Sequence, residues 1–138
     1  NDTVLEIGTG SGFQAAILNA MDVKVYTLER QMDLFVKTKE ILSKLAPQIV
    51  MFCGDGFRGL PDYAPYDKII VTCGAPSVPP LLLKQLKVGG KMVIPVGEGA
   101  QVMTRIVKLN DNEFKEERYG NFVFVPMLED VKRTPYKL

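Results

Sequence analysis

Histidine is absent from this sequence of 138 residues, and cysteine occurs only twice. Without histidine, the chain cannot build a Ser-His-Asp or Cys-His catalytic centre, or a zinc site with histidine ligands. Cys53 and Cys73 form neither a CxxC motif nor a spacing that is typical of metal ligands. We therefore predict two buried thiols in a reducing compartment, and we predict no metal site.

An excess of one charge sign and long apolar runs are lacking as well. Lysine plus arginine number 17 and aspartate plus glutamate 16, so the net charge of +1 gives no general attraction for nucleic acid or anionic membranes. No apolar run approaches the roughly 18 residues of a membrane-spanning helix.

The length indicates one domain over 1–138, which we expect in the cytoplasm. Strand-like residues begin almost directly after Asn1, so we expect the native protein to have a preceding N-terminal segment.

Strand-like and helical patterns alternate over most of the chain. Short apolar or alternating runs predict strands at 3–8, 23–29, 48–54, 66–74 and 89–97. Helical spacing of apolar residues predicts helices at 12–21, 32–45 and 78–86. The double glycine before the fifth strand predicts a turn there.

The pattern changes after the fifth strand, where no helix is predicted. Strand-like runs cover 102–110, 113–119 and 122–127, and the NDN at 110–112 predicts a hairpin turn. The polar tail, 128–138, is expected to be loose or ordered by a partner. Alternating strands and helices followed by strands alone predict an open, doubly wound α/β sheet, mostly parallel with an antiparallel C-terminal edge.

The stretch LEIGTGSGFQ, between the first predicted strand and helix, places Gly8, Gly10 and Gly12 on alternate positions. Glycines in such a loop let a ligand approach the backbone closely. A phosphate-binding P-loop would need a lysine that is missing, and a dinucleotide fingerprint would need glycine at Phe13. What remains is the G-x-G-x-G pattern of S-adenosylmethionine-dependent methyltransferases, and the alternative is a tight turn that binds nothing.

Acidic residues follow the next two predicted strands at their carboxyl ends, where ligands bind to such sheets. Glu29 can accept hydrogen bonds from both hydroxyls of a ribose, although it could also be an exposed acid. Asp55 suits the amino group of adenine, and Gly56 leaves a backbone N–H for a ring nitrogen, although Asp-Gly is also a common turn. Taken together, these strand ends predict an adenosyl ligand.

Four blocks between residues 4 and 127 are more specific: VLEIGTGSGFQAAIL, GDGFRGLPDYAPYDKIIVTCGAP, LLKQLKVGGKMVIPVG and FVFVPM. They resemble consecutive signatures of the protein-L-isoaspartate (D-aspartate) O-methyltransferase family. The resemblance implies a single class I, Rossmann-like methyltransferase domain. It also implies methyl transfer from S-adenosyl-L-methionine, leaving S-adenosyl-L-homocysteine, to the α-carboxyl of L-isoaspartyl residues in damaged peptides and proteins. In the family this transfer initiates repair.

The resemblance also implies two groups of site residues. The cofactor-binding residues would be Glu6, Gly8, Thr9, Gly10, Ser11, Gly12, Glu29, Arg30, Asp55 and Gly56. The residues on the acceptor side would be Thr72, Cys73, Gly74, Ala75 and Pro76.

No catalytic acid, base or nucleophile is assigned within the chain, because a carboxyl with a pKa of about 3.5 is already ionised at pH 7. Thr72 is a candidate positioning group. The family's acceptor-binding serine is expected before Asn1. The family often has an arginine before its FVPL motif, whereas Val123 stands at that place here.

Three other interpretations remain open at this point. They are a methyltransferase of the same fold with a small-molecule acceptor, a nicotinamide-dependent oxidoreductase, and an adenosyl-binding fragment without activity. We expect residues 1–138 alone to bind S-adenosylhomocysteine weakly and to turn over poorly.

The strand order of the class separates Cys53 from Cys73 by about 14 Å, at ~4.8 Å per strand, which is too far for a disulfide.

Overall fold

The computed structural model describes residues 1–133. Its strands are β1 (Thr3–Ile7), β2 (Lys24–Glu29), β3 (Val50–Cys53), β4 (Tyr66–Val71), β5 (Leu86–Val96), β6 (Gln101–Lys108) and β7 (Phe114–Phe122). Its helices are α1 (Phe13–Ala20), α2 (Met32–Leu45) and α3 (Pro80–Gln85), and Pro61–Tyr63 forms a 3-10 turn. The predicted helices are confirmed, with ends that differ from the prediction by at most two residues.

The strands form one sheet in the order β3-β2-β1-β4-β5-β6-β7. The first five pair in parallel, whereas β6 and β7 pair antiparallel. At the predicted hairpin turn, which is confirmed, the N–H of Leu109 donates to the carbonyl oxygen of Glu113 over 2.9 Å. The predicted mostly parallel sheet with an antiparallel C-terminal edge is therefore confirmed. The strand order reverses between β1 and β4, and open α/β sheets bind their ligands at the carboxyl ends of the strands at such a point.

Helices cover both faces of the sheet, because successive side chains of a buried strand point to opposite sides. On one face, Val25 of β2 packs in a cluster with Ala15 of α1 and Leu42 of α2. On the other face, Leu5 of β1 belongs to a larger cluster that includes Leu82 of α3. The sheet is thus doubly wound, as predicted, and its two apolar layers fix the strand ends that border the cleft described below.

The double glycine at 89–90 lies inside β5 rather than in a turn before it. Leu86 already pairs with Tyr66 of β4, and the register shifts before the next pair. The first glycine has a φ of +83°, and a Cβ on Gly90 would lie 2.8 Å from the carbonyl oxygen of Lys87. The predicted turn is therefore wrong, because the glycines allow a bulge that lets the strand start earlier.

Residues 123–133, which we call the strap, cross the carboxyl ends of the strands instead of adding to the sheet. The run 122–127 is predicted as a strand, but only Phe122 belongs to β7, and residues 123–127 make one isolated bridge, between Pro126 and Gly74. Proline has no N–H with which to continue a ladder. The strand prediction is therefore wrong for this run.

The second half of the strap docks beside the start of α2. The N–H of Lys132 donates to the carbonyl oxygen of Arg30 over 2.9 Å, and the N–H of Met32 donates to that of Lys132 over 2.8 Å. Nε of Arg30 donates to the carbonyl oxygen of Glu129 over 3.1 Å. The prediction of a loose tail over 128–138 is wrong as far as the structure describes it, because backbone hydrogen bonds hold this part. Its remainder lies outside the described residues.

Both cysteines are free of disulfides and intermediate in exposure, so the prediction of buried thiols is wrong. Cys53 ends β3 and Cys73 follows β4, and two strands lie between β3 and β4 as expected. Within residues 1–133, no helix is long and apolar enough to cross a membrane.

Candidate functional site

A cleft of about 380 Å³ opens at the carboxyl ends of β1, β2 and β4, next to the point where the strand order reverses. The glycine loop after β1 forms one side, and the turn between β2 and α2 forms another. The turn after β4 and the strap complete the walls. Segments from distant parts of the sequence therefore meet around one concavity, which is of a size typical for small-molecule sites.

The glycine loop is fastened to both neighbouring strands. The N–H of Gly8 donates to the carbonyl oxygen of Leu28 in β2 over 2.8 Å. On the other side, the hydroxyl of Thr72 lies 2.8 Å from the carbonyl oxygens of both Ile7 and Gly8. Gly8 has a φ of +95°, and any Cβ there would collide with the hydroxyl of Thr72. Glycine is required at this position for conformation and for space.

Glu29 lines the cleft and holds the backbone on both of its flanks. Its Oε1 accepts the N–H of Gly10 over 2.9 Å, and its Oε2 accepts the N–H of Gln31 over 2.9 Å. The residue is only 5% exposed. A carboxylate offers about four acceptor positions, so two remain available towards the cleft.

Glu6 lies beneath the glycine loop and does not line the cleft. It accepts hydrogen bonds from the hydroxyl of Thr27 over 2.6 Å and from Nε2 of Gln14 over 2.8 Å. The hydroxyl of Thr9 lies 2.7 Å from that of Thr27. Burial raises the pKa of Glu6, the hydrogen bonds from Thr27 and Gln14 oppose this, and the nearby charge of Glu29 adds to it. The arrangement supports the loop from below.

The Asp-Gly pair after β3 contributes backbone rather than a carboxylate to the cleft. Gly54 and Gly56 line it, whereas the carboxylate of Asp55 accepts the N–H of Phe57 over 2.9 Å. Its other oxygen lies 3.9 Å from Nε of Arg58. The Asp-Gly turn thus forms part of the cleft wall through its backbone.

The turn at 72–76 is held from three directions. Thr72 is tied to β1, as described above, and the N–H of Gly74 donates to Val125 of the strap over 2.7 Å. The N–H of Ala75 donates to Pro95 of β5 over 2.8 Å. Only the first two residues of the turn line the cleft. Of these, Cys73 has a pKa raised to about 11, by burial and by the charge of Glu29, so it carries no thiolate at neutral pH.

Met127 anchors the strap at the floor of the cleft. Its side chain is 6% exposed and belongs to the larger core cluster. A Cβ on Gly56 would lie 2.5 Å from Cγ2 of Ile7 and 3.1 Å from Cε of Met127. Ile7 of β1 and Met127 of the strap therefore lie so close to Gly56 that no side chain fits at this position.

The structure brings together part of the predicted site. The predicted residues that line the cleft are Gly8, Gly10, Glu29, Arg30, Gly56, Thr72 and Cys73. Those that do not line it are Glu6, Thr9, Ser11, Gly12, Asp55, Gly74, Ala75 and Pro76. Among residues 1–133, no group of three or more acidic or thiol side chains is arranged to hold a metal ion.

Sequence reasoning missed several lining residues, namely Ile7, Leu28, Gln31, Leu34, Gly54, Val125, Pro126, Met127 and Leu128. Ile7 and Leu28 could have been found as apolar residues near the ends of predicted strands. No local signal marks the strap residues, because their place depends on contacts with distant segments.

A family model described as protein-L-isoaspartate(D-aspartate) O-methyltransferase matches residues 1–132. A protein-L-isoaspartate O-methyltransferase from Christiangramia forsetii is 56% identical over 131 residues, which are 94% of this chain and 61% of that protein. A protein of the same name from Flavobacterium psychrophilum is 53% identical over 130 residues, with coverage of 94% and 61%. The chain therefore spans about three fifths of the length of these curated relatives.

Solved structures agree with this similarity. One protein-L-isoaspartate O-methyltransferase superposes with a TM-score of 0.87 at 28% identity, covering 95% of this chain and 43% of that one. A Plasmodium falciparum protein described as a protein-L-isoaspartate O-methyltransferase, in complex with S-adenosyl-L-homocysteine, superposes with a TM-score of 0.75 at 23% identity. In that case 92% of this chain and 66% of the other are covered, and the likeness concerns the fold.

Proposed function

The chain belongs to the protein-L-isoaspartate (D-aspartate) O-methyltransferase family, and on that premise we propose that the protein transfers a methyl group from S-adenosyl-L-methionine to L-isoaspartyl residues. The acceptor is their α-carboxyl in damaged peptides and proteins, and the transfer initiates repair. The observation that carries the proposal is the pairing of Glu29 with the glycine loop across one cleft. A solved structure of the same fold, described as a protein-L-isoaspartate O-methyltransferase, holds S-adenosyl-L-homocysteine, which is the expected product.

The ribose of the cofactor would be bound by Glu29. Two acceptor positions of its carboxylate are used by the N–H groups of Gly10 and Gln31, and this leaves two for the ribose hydroxyls. The same two backbone bonds hold the carboxylate in position before any ligand arrives. The glycine loop presents backbone without side chains to the rest of the cofactor.

The adenine ring would lie between the apolar side chains of Leu28 and Leu34 and the backbone at Gly54 and Gly56. The N–H of Gly54 already donates to the carbonyl oxygen of Glu29 over 3.0 Å, so the N–H of Gly56 is the one that suits a ring nitrogen. Oδ1 of Asp55 is engaged by the N–H of Phe57 and its Oδ2 lies 3.9 Å from Nε of Arg58, so this carboxylate, which does not line the cleft, would hold the turn that presents Gly54 and Gly56.

The reaction asks the protein for placement rather than for acid-base catalysis. The cofactor supplies a methyl group on a positively charged sulfur, and the acceptor carboxyl is already ionised at pH 7. Residues of the turn at 72–76 and of the strap would hold the acceptor close to the cofactor. Such placement contributes on the order of 7 kcal/mol or more to lowering a barrier. Exclusion of water by the same walls strengthens the attraction between the carboxylate and the cationic donor.

We assign no acid, base or nucleophile to the chain, and we expect the acceptor-binding serine in a segment that precedes Asn1. We also propose the cytoplasm as the site of the reaction, since two unpaired thiols suit a reducing compartment. Isoaspartyl peptides and proteins are the proposed partners. The balanced charge of the chain gives no reason to expect nucleic acid or membrane partners.

The test is an assay of the full-length gene product with S-adenosylmethionine that carries a labelled methyl group. Two peptides of identical sequence, one with isoaspartate and one with aspartate at a single position, serve as acceptors. We expect base-labile label on the isoaspartyl peptide alone. Equal labelling of both peptides, or label only on small molecules, would contradict the proposal and favour a methyltransferase with another acceptor.

A further inference from the structure

Gln101, the first residue of β6, uses its side-chain amide outside its own strand pairing. Its residue surface is only 3% exposed. Oε1 accepts the N–H of Phe124 in the strap over 2.7 Å, and Nε2 donates to the carbonyl oxygen of Gly99 over 2.9 Å. A buried amide costs free energy unless both of its ends are paired, as they are here. A methionine would fill the same space without either bond.

The same side chain also packs against the turn that we place beside the acceptor. A Cβ on Gly74 would lie 2.5 Å from Nε2 of Gln101 and 2.9 Å from its Cγ. Gly74 in turn donates to the carbonyl oxygen of Val125 over 2.7 Å and accepts the N–H of Met127 over 2.9 Å. Gln101 therefore contacts Gly74, which bridges to Pro126, and Phe124, which lies two residues before Pro126 in the strap.

The other end of the strap is fixed independently of Gln101. Hydrogen bonds between Lys132 and the backbone of Arg30 and Met32 hold it beside the start of α2. Glu29 is likewise held by backbone N–H groups that Gln101 does not contact. Loss of the Gln101 side chain should thus loosen the cleft at the end near Gly74 and leave the ribose end in place.

We propose that Gln101 is a positioning residue for the acceptor peptide, acting through Phe124 and Gly74. The proposal rests on the function proposed above, because it assigns the wall between Gly74 and Val125 to the isoaspartyl acceptor. It extends that function to a residue that touches neither cofactor nor acceptor. Its effect on catalysis is confined to the binding of the peptide.

The test compares Gln101→Met with Gln101→Glu in the full-length protein. Methionine keeps the volume and removes both hydrogen bonds, whereas glutamate keeps an oxygen for the N–H of Phe124. We expect Gln101→Met to raise the KM for the isoaspartyl peptide by about tenfold, as for the loss of one to two hydrogen bonds. The Kd for S-adenosylhomocysteine should change by less than about twofold, and kcat should fall less than KM rises. Gln101→Glu should restore part of the peptide affinity, because it keeps the acceptor for Phe124 but loses the donor to the carbonyl oxygen of Gly99.

A matched control is available in Gln85, the other buried glutamine, which clamps a different loop. Its Oε1 accepts the N–H of Leu60 over 2.9 Å, and its Nε2 donates to the carbonyl oxygen of Arg58 over 2.7 Å. This loop continues the cofactor-side turn at Asp55. Gln85→Met should therefore affect the cofactor Kd more than the peptide KM, which is the reverse of the result expected for Gln101→Met.

Amide hydrogen exchange provides a measurement that needs no kinetic assay. Binding of the isoaspartyl peptide to the wild-type protein should slow exchange at the N–H of Phe124, and Gln101→Met should speed it. Unchanged exchange on peptide binding, or an equal loss of peptide and cofactor affinity in Gln101→Met, would overturn the inference. If the wild-type protein methylates no isoaspartyl peptide, the proposed function itself has failed. If it does so and Gln101→Met keeps its KM, only this inference has failed.

Discussion

The hydroxyl of Thr72, just beyond the end of β4, lies 2.8 Å from the carbonyl oxygen of Gly8 in the loop after β1. The same hydroxyl lies 2.8 Å from the carbonyl oxygen of Ile7, and the backbone N–H of Thr72 donates to that carbonyl over 3.0 Å. One residue thus connects the acceptor-side turn to the loop that we assign to the cofactor. The connection spans the point at which the strand order reverses.

Thr72→Val should weaken cofactor binding while it leaves the fold intact. Valine keeps the shape of threonine but removes the hydroxyl, at a cost of about 1 kcal/mol for the lost hydrogen bond. We expect the Kd for S-adenosylhomocysteine, measured by calorimetry, to rise about fivefold to tenfold. Thr72→Ser is the control and should bind as the wild type does. Equal affinity of the valine and serine variants would show that the hydroxyl does not position the loop.

Glu29→Gln should cost both stability and cofactor affinity. The amide replaces one carboxylate oxygen by a donor, which leaves the N–H of Gly10 or Gln31 without an acceptor. An unpaired buried N–H costs about 1–3 kcal/mol. Glu40→Gln on the exposed face of α2 changes the net charge equally and is the matched control. Urea unfolding and calorimetry with S-adenosylhomocysteine should both separate the two variants, and indistinguishable results would contradict the role of Glu29.

Replacement by alanine should lower the free energy of unfolding by different amounts at Gly10 and at Gly12. Both have positive φ, so both substitutions introduce backbone strain of about 1–2 kcal/mol. A Cβ on Gly12 would also lie 2.9 Å from Cγ2 of Thr38 and 3.1 Å from the methyl groups of Leu42, whereas a Cβ on Gly10 meets no atom within 4 Å. Gly12→Ala should lower the free energy of unfolding by about 1–3 kcal/mol more than Gly10→Ala does.

The cofactor affinity of the two variants should follow the opposite order. Gly10 lines the cleft and Gly12 does not, so the methyl group of Gly10→Ala occupies space that we assign to the ligand. Calorimetry on the folded fraction of each variant measures this. A greater loss of affinity in Gly12→Ala would contradict the assignment of the cleft.

Glu6 should make the protein less stable as the pH rises above about 4.5. Burial raises the pKa of this carboxyl above its ordinary value of 4.5, so the folded protein retains a proton that the unfolded chain has already lost. The contribution to stability is complete below pH 4.5 and is lost as the pH rises through the raised pKa. Glu6→Gln has no such proton, and its oxygen can still accept from Thr27. The difference in unfolding free energy between variant and wild type should grow as the pH rises from 4.5 through the raised pKa. A constant difference would contradict the raised pKa.

Much of the cleft could be predicted from the sequence because its signals are local. Glu29 and the glycine loop each follow a strand directly, and the carboxyl ends of parallel strands meet at one edge of a sheet. The extent of α2 was equally predictable, since its apolar residues recur at helical spacing. In these cases residues that are close in sequence determine the local structure.

The strap could not be predicted because its apolar run looks like a strand and its partners are distant. Val125 and Met127 pair with Gly74, about fifty positions earlier, and Lys132 pairs with Arg30. Pro126 argues against a ladder in this run, but it does not indicate which distant segment the run contacts. Gln101 was missed for a related reason, since a glutamine at the start of a strand is indistinguishable by pattern from a solvated one.

The strap also determines when the cleft can exist during synthesis. The N-terminal part of a chain leaves the ribosome first, and folding begins during synthesis. The glycine loop and Glu29 leave the exit tunnel early, whereas the wall formed by Val125 to Leu128 follows some hundred residues later. A nascent chain that ends before this wall lacks the side of the cleft that Val125 to Leu128 form. Tight retention of a nucleoside is therefore a property that the polypeptide gains late in its translation.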